Sequence, residues 1–412
     1  MASIVPFRCQ YRCAHAVRHR LGQGLFPALG DGWIYLDPQT GMQIPDSVAS
    51  AVSTGFRSLP VVAGSRSPQA RAAAETIENA RRAVADLLGA DPAGVVLGSS
   101  RAALMSALAD ALPLSAWLNR NIVLSRSDDE AVLTPALTGA ARHGTQVRWA
   151  EIDVEDGTLP TWQFADIIDD RTSLVAVTLA SSVNGAITDI GPIAGHARAA
   201  RARLLVDATT AAPYVPLSMD ELGADAVLVS AERWGGPRVA ALVFADPEQL
   251  GSLVRVSMNP KAAGAARLEP EPLPGALLAG LIASIEYLAG LDQAAAGTRR
   301  ERITASMDAT FEYVHRLLYY LVNSLSHLSN VRVIGPDVHR VPVVSFVVEG
   351  VPATEVCVRL SDNGIAALAE VPSRALGAIG VDEIGGAVTV GLSPYSTPYE
   401  VDQLVRVLGS FG

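Results

Sequence analysis

Short runs of consecutive apolar residues alternate with longer amphipathic segments through the first two thirds of the chain. The apolar runs predict buried strands, and the segments between them predict helices. This alternation predicts a mostly parallel sheet that is covered by helices on both faces. The predicted strands are Gly94–Leu97, Asn121–Ser125, Val147–Ile152, Leu174–Leu179, Leu204–Val206, Asp225–Val229 and Arg238–Phe244.

Local signals mark the ends of one helix clearly. Ser67 is a good N-cap, Pro68 suits the first turn, and Gly89 is a typical stop after the Ala-rich segment between them. Two further helices of this region are predicted over Asp129–Arg142 and Ile193–Ala202.

The most apolar segment, Leu273–Leu291, contains Pro274, several glycines and Glu286. These residues favour a buried helix over a membrane span. Beyond it the pattern changes to that of a smaller α+β unit. Its strands are predicted at Val331–Ile334, Val341–Val348, Ile365–Leu368 and Ala387–Leu392, and its helices at Ala353–Asp362 and Thr397–Leu408.

We therefore divide the chain into four parts. They are an N-terminal arm (1–30), a large domain (31–270), a connecting helix (271–300) and a small α+β domain (301–412). With 412 residues, of which 49% are hydrophobic, the chain can bury the cores of both domains.

Charge and cysteine content exclude several functions. The net charge is −10 and no basic patch stands out, so we expect no nucleic-acid partner. Three cysteines do not form a disulfide framework, which predicts a cytoplasmic protein. Zinc-type ligands occur in the arm, but their spacing is too compressed for a standard site, so we predict no metal. They are Cys9, Cys13, His15 and His19.

Ligands of parallel α/β sheets bind beyond the carboxyl ends of the strands. The residues that follow each predicted strand are therefore the candidates for function. They are Ser99 and Ser100, Asp128 and Asp129, Ser181 and Ser182, Asp207, and Ser230 to Trp234.

Taken in chain order, these segments resemble motifs of the cysteine desulfurase and class V aminotransferase family, from about Tyr35 to Leu408. The resemblance implies the type I fold of pyridoxal-phosphate (PLP) transferases, with a mostly parallel seven-stranded sheet, a small α+β domain and a homodimer. The matching segments are Tyr35-Leu36-Asp37, Gly98-Ser99-Ser100, Leu174 to Gly185, Leu205 to Ala208, Ser230 to Pro237, Arg267-Leu268-Glu269 and Tyr395-Ser396-Thr397.

The resemblance also implies roles for the strand-end residues. The cofactor phosphate would lie on the turn Gly98-Ser99-Ser100, at a helix N-terminus, with a further hydroxyl from Ser230. Asp207 would face the pyridine nitrogen and keep it protonated. Other predicted cofactor contacts differ in type from the family residues. They are Asp129 for a stacking histidine, Ser182 for an asparagine, Thr210 for a glutamine and Glu232 for a histidine.

Arg233 stands where the family has the lysine that forms an imine with PLP. Arginine is effectively always protonated and cannot act as that amine nucleophile. Lys261 is the single lysine of the chain, so only Lys261 could form an internal imine, although a loop lysine is more often a solvated charge.

Further positions depart from the family pattern. Thr389 stands where an arginine would hold the substrate carboxylate, and Glu271-Pro272 replaces a Gly-Thr pair that reaches the neighbouring subunit's phosphate. Residues 369–381 contain no cysteine, so the persulfide chemistry of a desulfurase is not expected. Cys357 lies in a predicted amphipathic helix and suits a core thiol.

Three hypotheses remain open at this point. In the first, PLP is non-covalent or absent, and a degenerate site binds a phosphorylated or other small anionic ligand, or a partner, without imine chemistry. The second is an active PLP-dependent aminotransferase, desulfurase or lyase that acts on an amino acid through Lys261 or unbound PLP. The third is an enzyme that uses Glu232, Asp129 and Asp207 as acid or base groups. Trp234 beside Arg233 could also fill the cofactor space.

Overall fold

A computed structural model of the protein describes residues 25–59, 66–336, 339–377 and 379–411. Most of the predicted N-terminal arm, with Cys9, Cys13, His15 and His19, lies outside these residues. The strands are β1 (Ile34–Tyr35), β2 (Val95–Gly98), β3 (Asn121–Ser125), β4 (Gln146–Ala150), β5 (Thr172–Thr178), β6 (Arg203–Asp207), β7 (Ala226–Ser230), β8 (Ala240–Phe244), β9 (Val331–Ile334), β10 (Val343–Val348), β11 (Ile365–Ala366), β12 (Leu368–Glu370) and β13 (Ala387–Gly391).

The helices of the described residues include long ones and short ones of a single turn. They are α1 (Asp46–Ser58), α2 (Pro68–Leu88), α3 (Arg101–Ala111), α4 (Glu130–His143), α5 (Phe164–Ile167), α6 (Ile190–Ala200), α7 (Met219–Leu222), α8 (Gln249–Ser252), α9 (Gly275–Ala289), α10 (Arg299–Ser326), α11 (Ala353–Asp362), α12 (Arg374–Gly377) and α13 (Pro398–Leu408).

The central sheet has seven strands in the order β2-β8-β7-β6-β5-β3-β4. Each pairing is parallel except those of β8, which runs antiparallel to both β2 and β7. The connection 231–239 is shorter than the dozen or so residues of a parallel crossover, so β8 must turn back beside β7. The mostly parallel seven-stranded α/β architecture is confirmed.

Both faces of this sheet are buried, as the near-continuous apolar strands predict. Val123 and Val206 belong to the core on one face, whereas Ile122 and Leu205 belong to the core on the other. The signals at the ends of α2 are also confirmed. The Ser67 hydroxyl accepts a hydrogen bond from the Ala70 N–H at 3.1 Å, and Gly89 is left-handed with φ 65°.

The small domain is built on an antiparallel sheet in the order β12-β13-β10-β9. Strand β1 pairs with β11, and Leu36 is fully buried in the small-domain core. Residues 34–36 therefore pack with the small domain, although we assigned them to the large domain 31–270. Two strand pairings with distant residues and the buried Leu36 place them there, and nothing in the local sequence indicates such partners.

Helix α10 crosses the predicted boundary at residue 300. Its first turns bury Ile303 and Met307 in the large-domain core, and its later turns bury Val314 and Leu321 in the small-domain core. The connection between the domains is therefore longer than the predicted helix 271–300, because one continuous helix contributes to both cores.

Helix α9 occupies the predicted apolar segment and packs against α1 within the same chain. A Cβ on Gly55 would lie 2.6 Å from the Cα of Ala276, and a Cβ on Gly280 would lie 2.4 Å from Val52, so this close crossing requires both glycines. Leu278, among others on α9, is buried by the chain itself. In the described part of the chain, no helix is long and apolar enough to cross a membrane.

Glu269 joins α2 to the edge strand β2, and replacing its carboxylate tests how strongly it holds them together. Its carboxylate accepts two hydrogen bonds from Arg81, at 3.0 and 2.6 Å, and one from the Leu97 N–H at 2.6 Å. Hydrogen bonds to charged groups are worth about 1.5–3 kcal/mol. We expect Glu269→Gln to lower the free energy of unfolding by about 2 kcal/mol in urea titrations.

The exposed pair Arg142–Asp110 is the matched control, with side chains 60% and 53% exposed. Exposed ion pairs contribute little, so Asp110→Asn should cost less than about 1 kcal/mol. Equal losses in the two variants would show that the carboxylate of Glu269 does not hold this edge together.

Candidate functional site

The strand registers gather the carboxyl ends of the central strands at one edge of the sheet. Asp207 pairs with Thr178 on one side and with Leu228 on the other. Gly98 and Ser230 both pair with Ala240, so they flank the same residue of β8. Adjacent strands lie about 4.8 Å apart, which places Gly98 and Ser230 about 10 Å from each other.

Arg101, the first residue of α3, connects two of the predicted site residues. Its Nη1 lies 2.7 Å from Asp129 Oδ2 and 2.7 Å from Asp207 Oδ2. The three side chains are 12%, 24% and 3% exposed, in the order Arg101, Asp129 and Asp207. Burial would lower the pKa of Arg101, but the two carboxylates outweigh burial and raise it, so this guanidinium stays charged.

Both carboxylates are also held through their second oxygens. Asp129 Oδ1 accepts a hydrogen bond from the Ser182 hydroxyl at 2.6 Å, and Asp207 Oδ1 accepts one from the Thr209 N–H at 3.0 Å. Burial opposes ionisation of Asp129, yet Arg101 and Arg233 hold its pKa below the usual range. The predicted residues Asp129, Ser182, Asp207 and Arg233 therefore do come together.

Arg233 lies in a short 3-10 turn, Ala231–Trp234, between β7 and β8. Its side chain is 10% exposed, and Nη2 lies 3.9 Å from Asp129 Oδ2. Within the described residues, its guanidinium forms no hydrogen bond. Burial lowers the pKa of Arg233, because the nearby acids do not fully offset the loss of solvent. The five N–H donors of this guanidinium, which would normally form hydrogen bonds, are thus largely shielded from solvent.

Glu232, the neighbour of Arg233, is bound to the end of β7. The Ser230 hydroxyl donates a hydrogen bond to Glu232 Oε2 at 2.5 Å, and the Glu232 carbonyl accepts one from the Met42 N–H at 2.9 Å. Ser230 is buried, so its single donor is used within the chain.

The predicted phosphate turn lies at the start of α3, with Ser99 and Ser100 exposed and Gly98 partly buried. The Ser100 hydroxyl accepts a hydrogen bond from the Ala103 N–H at 3.1 Å, so Ser100 is an N-cap. A Cβ on Gly98 would lie 2.5 Å from Leu104, which explains the glycine by close helix packing. Gly98 and Ser99 line a cavity of about 660 Å³ whose other walls are mostly apolar.

Lys261 is exposed in a loop, where its backbone N–H donates to Asn259 Oδ1 at 3.0 Å. Thr210 is buried in the turn after β6. Thr389 is buried in the small-domain sheet, and its hydroxyl lies 2.7 Å from that of Ser345. None of these three side chains forms a hydrogen bond or ion pair with Arg101, Asp207 or Arg233 in the described residues.

Two residues near the site, Glu370 and Tyr214, were not predicted from the sequence, and Asp128 was predicted without a role. Burial and the charge of Asp129 raise the pKa of Glu370, which comes from β12 of the small domain. Burial raises the pKa of Tyr214, which also senses the charge of Arg233. Asp128 was noted only as a strand-end residue. Its position before Asp129 was the one available signal, because the other two reach the site through tertiary packing.

Asp128 offers a test by pH. It is 4% exposed; one oxygen accepts from the Ser125 N–H at 2.9 Å, and Oδ1 has no partner in the described chain. Burial raises the pKa of Asp128 well above its usual value. A raised carboxyl pKa lowers folded-state stability as pH rises above the unfolded pKa of about 3.9. We expect Asp128→Asn to raise the melting temperature at pH 8 relative to the wild type.

The same substitution should change the melting temperature little at pH 4, where the wild-type group is protonated in the folded state. Melting curves of both proteins between pH 4 and 8 measure this difference. A wild-type advantage that grows with pH would mean that Asp128 is ionised and stabilising, contrary to this expectation.

Known proteins resemble this chain over nearly its whole length. A family model described as Aminotransferase class-V matches residues 34–404. The uncharacterized protein MT3887 of Mycobacterium tuberculosis is 50% identical, over 95% of this chain and 98% of its own length. The aminotransferase-like protein FGM3 of Gibberella zeae is 28% identical, over 93% of this chain and 96% of its own.

Among solved structures, the apo structure of a cysteine desulfurase from Thermococcus onnurineus NA1 has a TM-score of 0.84. It is 20% identical and covers 100% of this chain and 99% of that one. This similarity bears out the type I fold, and the family match bears out the resemblance in the motifs. The chain belongs to the class V aminotransferase family.

Proposed function

We propose that this protein binds a small anionic molecule through Arg233 and carries out no imine chemistry. The supporting observation is the Arg233 guanidinium, 10% exposed and without a hydrogen bond in the described residues. Buried N–H donors that lack hydrogen bonds are costly, even where an acid lies nearby. A carboxylate or phosphate monoester could accept two parallel N–H bonds from the guanidinium and remove that cost.

The residues of the cleft do not fit PLP. The resemblance gives Asp207 to the pyridine nitrogen and Asp129 to the ring face, but one nitrogen of Arg101 lies 2.7 Å from both carboxylates. A ring in contact with both would have to displace Arg101. Ser230 already donates to Glu232, and Arg233 has no amine for an imine.

A phosphorylated ligand has a second possible support in this proposal. Ser99 lies beside the N-terminus of α3, which favours anions, and lines the cavity of about 660 Å³. Because the Ser100 hydroxyl caps the helix, only Ser99 and the backbone N–H groups would be free for a phosphate.

The test is a titration of the full chain with acetate, pyruvate, L-alanine, inorganic phosphate and glycerol 3-phosphate, followed by calorimetry and melting temperature. At least one probe should bind the wild type and raise its melting temperature. Arg233→Met should abolish this effect. Arg238→Met is the matched control, because Arg238 is an exposed arginine of the same connection and should bind as the wild type does.

Two outcomes would count against the proposal. Either no probe in the set binds, or the probe binds Arg233→Met as well as it binds the control. Preference for phosphate over carboxylate probes would identify the phosphorylated class.

The alternative is a PLP-dependent aminotransferase or cysteine desulfurase-like enzyme that acts on an amino acid, as the family match favours. We expect the purified protein to show no visible imine absorption with PLP and no covalent adduct after borohydride reduction. An adduct mapped to Lys261 by mass spectrometry would support the alternative and refute the absence of imine chemistry.

We further propose a cytoplasmic homodimer, on the resemblance and the cysteine content. Light scattering of the full chain should give about twice the mass of 43.1 kDa. A monomer would contradict the dimer. It would leave the proposal on Arg233 intact, because every residue used there belongs to one chain.

A further inference from the structure

Two side chains stand at the places that the resemblance gives to the charged ends of PLP. At Asp207, a protonated pyridine would offer one N–H donor and one positive charge. Arg101 offers both, with Nη1 2.7 Å from Asp207 Oδ2. Charge-assisted bonds of this length are strong, and Asp207 is almost fully buried.

Glu232 takes the place of the cofactor phosphate in the same way. A phosphate would present an anionic oxygen to the Ser230 hydroxyl. That hydroxyl donates instead to Glu232 Oε2 at 2.5 Å. The backbone of Glu232 is fixed by the bond from the Met42 N–H at 2.9 Å, so the carboxylate is held in place on a short turn.

The charges of the cleft also oppose the cofactor. Arg101 and Arg233 provide two positive charges near the three carboxylates of Asp129, Asp207 and Glu232. A phosphate near Glu232 would add like charge, which is destabilising. Removal of Arg101 to admit a pyridine ring would leave Asp129 and Asp207 without their shared cation.

We propose that Arg101 and Glu232 replace the pyridinium and the phosphate of PLP within the chain. The cleft therefore excludes the cofactor even when a lysine is supplied at residue 233. This inference goes beyond anion binding at Arg233, since it concerns the two ends of the cleft and requires no ligand.

The first test supplies the lysine alone. Arg233→Lys is titrated with PLP and with pyridoxal, which lacks the phosphate, and imine formation is read from visible absorption and borohydride-stable mass. We expect no imine with either aldehyde, because Arg101 still spans Asp129 and Asp207. An imine in this single variant would overturn the inference and leave the anion titrations on Arg233 unaffected.

The second test removes Arg101 and keeps Glu232. In the variant Arg101→Ala/Asp129→His/Arg233→Lys, Asp207 remains as the acid for the pyridine nitrogen. The change of Asp129 to histidine removes the carboxylate that would otherwise lose its cation with Arg101. We expect an imine with pyridoxal and weaker binding of PLP, by about tenfold or more, because Glu232 occupies the phosphate place.

The third test adds Glu232→His, which should reverse this preference in favour of PLP. Equal binding of the two aldehydes with and without Glu232 would refute the role of Glu232. If the variants that lack Arg101 fail to fold by circular dichroism, Glu232→Gln/Arg233→Lys keeps the Arg101 ion pairs. An imine in that variant would refute the role of Arg101, and its absence with both aldehydes is the expected result.

Discussion

Arg101→Met is expected to lower the free energy of unfolding by about 3–5 kcal/mol, the usual cost of removing one partner of a buried ion pair. Arg101 is the cation within 2.7 Å of both Asp129 and Asp207, and these are 24% and 3% exposed. Methionine keeps much of the side-chain volume, so the loss should come mainly from the two carboxylates.

The pH dependence identifies the cause of that loss. The folded-state pKa of Asp129 is lowered, so its contribution is present above the unfolded pKa of about 3.9 and disappears as pH falls through the folded value. Arg101→Met should therefore cost most at neutral pH and progressively less below about pH 4, as measured by urea titrations.

Two controls test whether the cost of Arg101→Met comes from the buried carboxylates. Arg126 pairs with Glu151 at 3.3 Å with side chains 38% and 58% exposed, so Arg126→Met should cost less than about 1 kcal/mol. Adding Asp129→Asn and Asp207→Asn to Arg101→Met should restore most of the lost stability. A cost for Arg101→Met no larger than that for Arg126→Met would remove the physical basis for the replacement of the pyridinium by Arg101.

Much of the fold could be predicted because its signals are local. Strand β3 has the predicted bounds Asn121–Ser125, and α2 begins at Pro68 and ends before Gly89 as its capping residues indicate. Buried parallel strands carry continuous apolar runs, and capping residues act within one turn, so both can be recognised without tertiary contacts.

Two of the long helices were missed for different reasons. Helix α1 follows Pro45, has no side-chain N-cap bond, and contains several Ser, Thr and Gly residues, so its sequence gives a weak helix signal. Helix α10 does have a capping box of Thr298 and Glu301, but it contributes to two different cores. Its apolar residues therefore do not follow one simple stripe.

The site could be predicted only in part. Motif order brought Asp129, Asp207 and Arg233 together correctly, because each lies at or just beyond the carboxyl end of a strand of the same sheet. Which acids Arg101 binds could not be deduced, since Arg101 begins α3, far along the chain from both acids, and its long side chain can reach several groups. Glu370 could not be found at all, because it comes from the small-domain sheet.

The sequence leaves open whether Trp234 fills the cofactor space, and in the structure Trp234 packs against α9. Its indole N–H donates to the Ser284 hydroxyl at 3.0 Å, and Ser284 lies on α9. Trp234 is 2% exposed and belongs to the large-domain core. Trp234 therefore joins the β7–β8 connection to α9, whereas Arg101 spans the acids of the cleft.

Trp234→Ala is expected to lower the free energy of unfolding by about 3–5 kcal/mol, as truncation of a buried tryptophan usually does. The same variant should gain no affinity for PLP, because the ion pairs of Arg101 are left in place. Urea titrations and PLP absorption measure the two effects.

Trp234→Phe separates the contribution of packing from that of the hydrogen bond to Ser284. It keeps most of the packing and should cost about 1 kcal/mol for the lost hydrogen bond, along with the lost ring volume. PLP binding by Trp234→Ala, with a normal circular dichroism spectrum, would show that the indole and not the Arg101 ion pairs blocks the cofactor site.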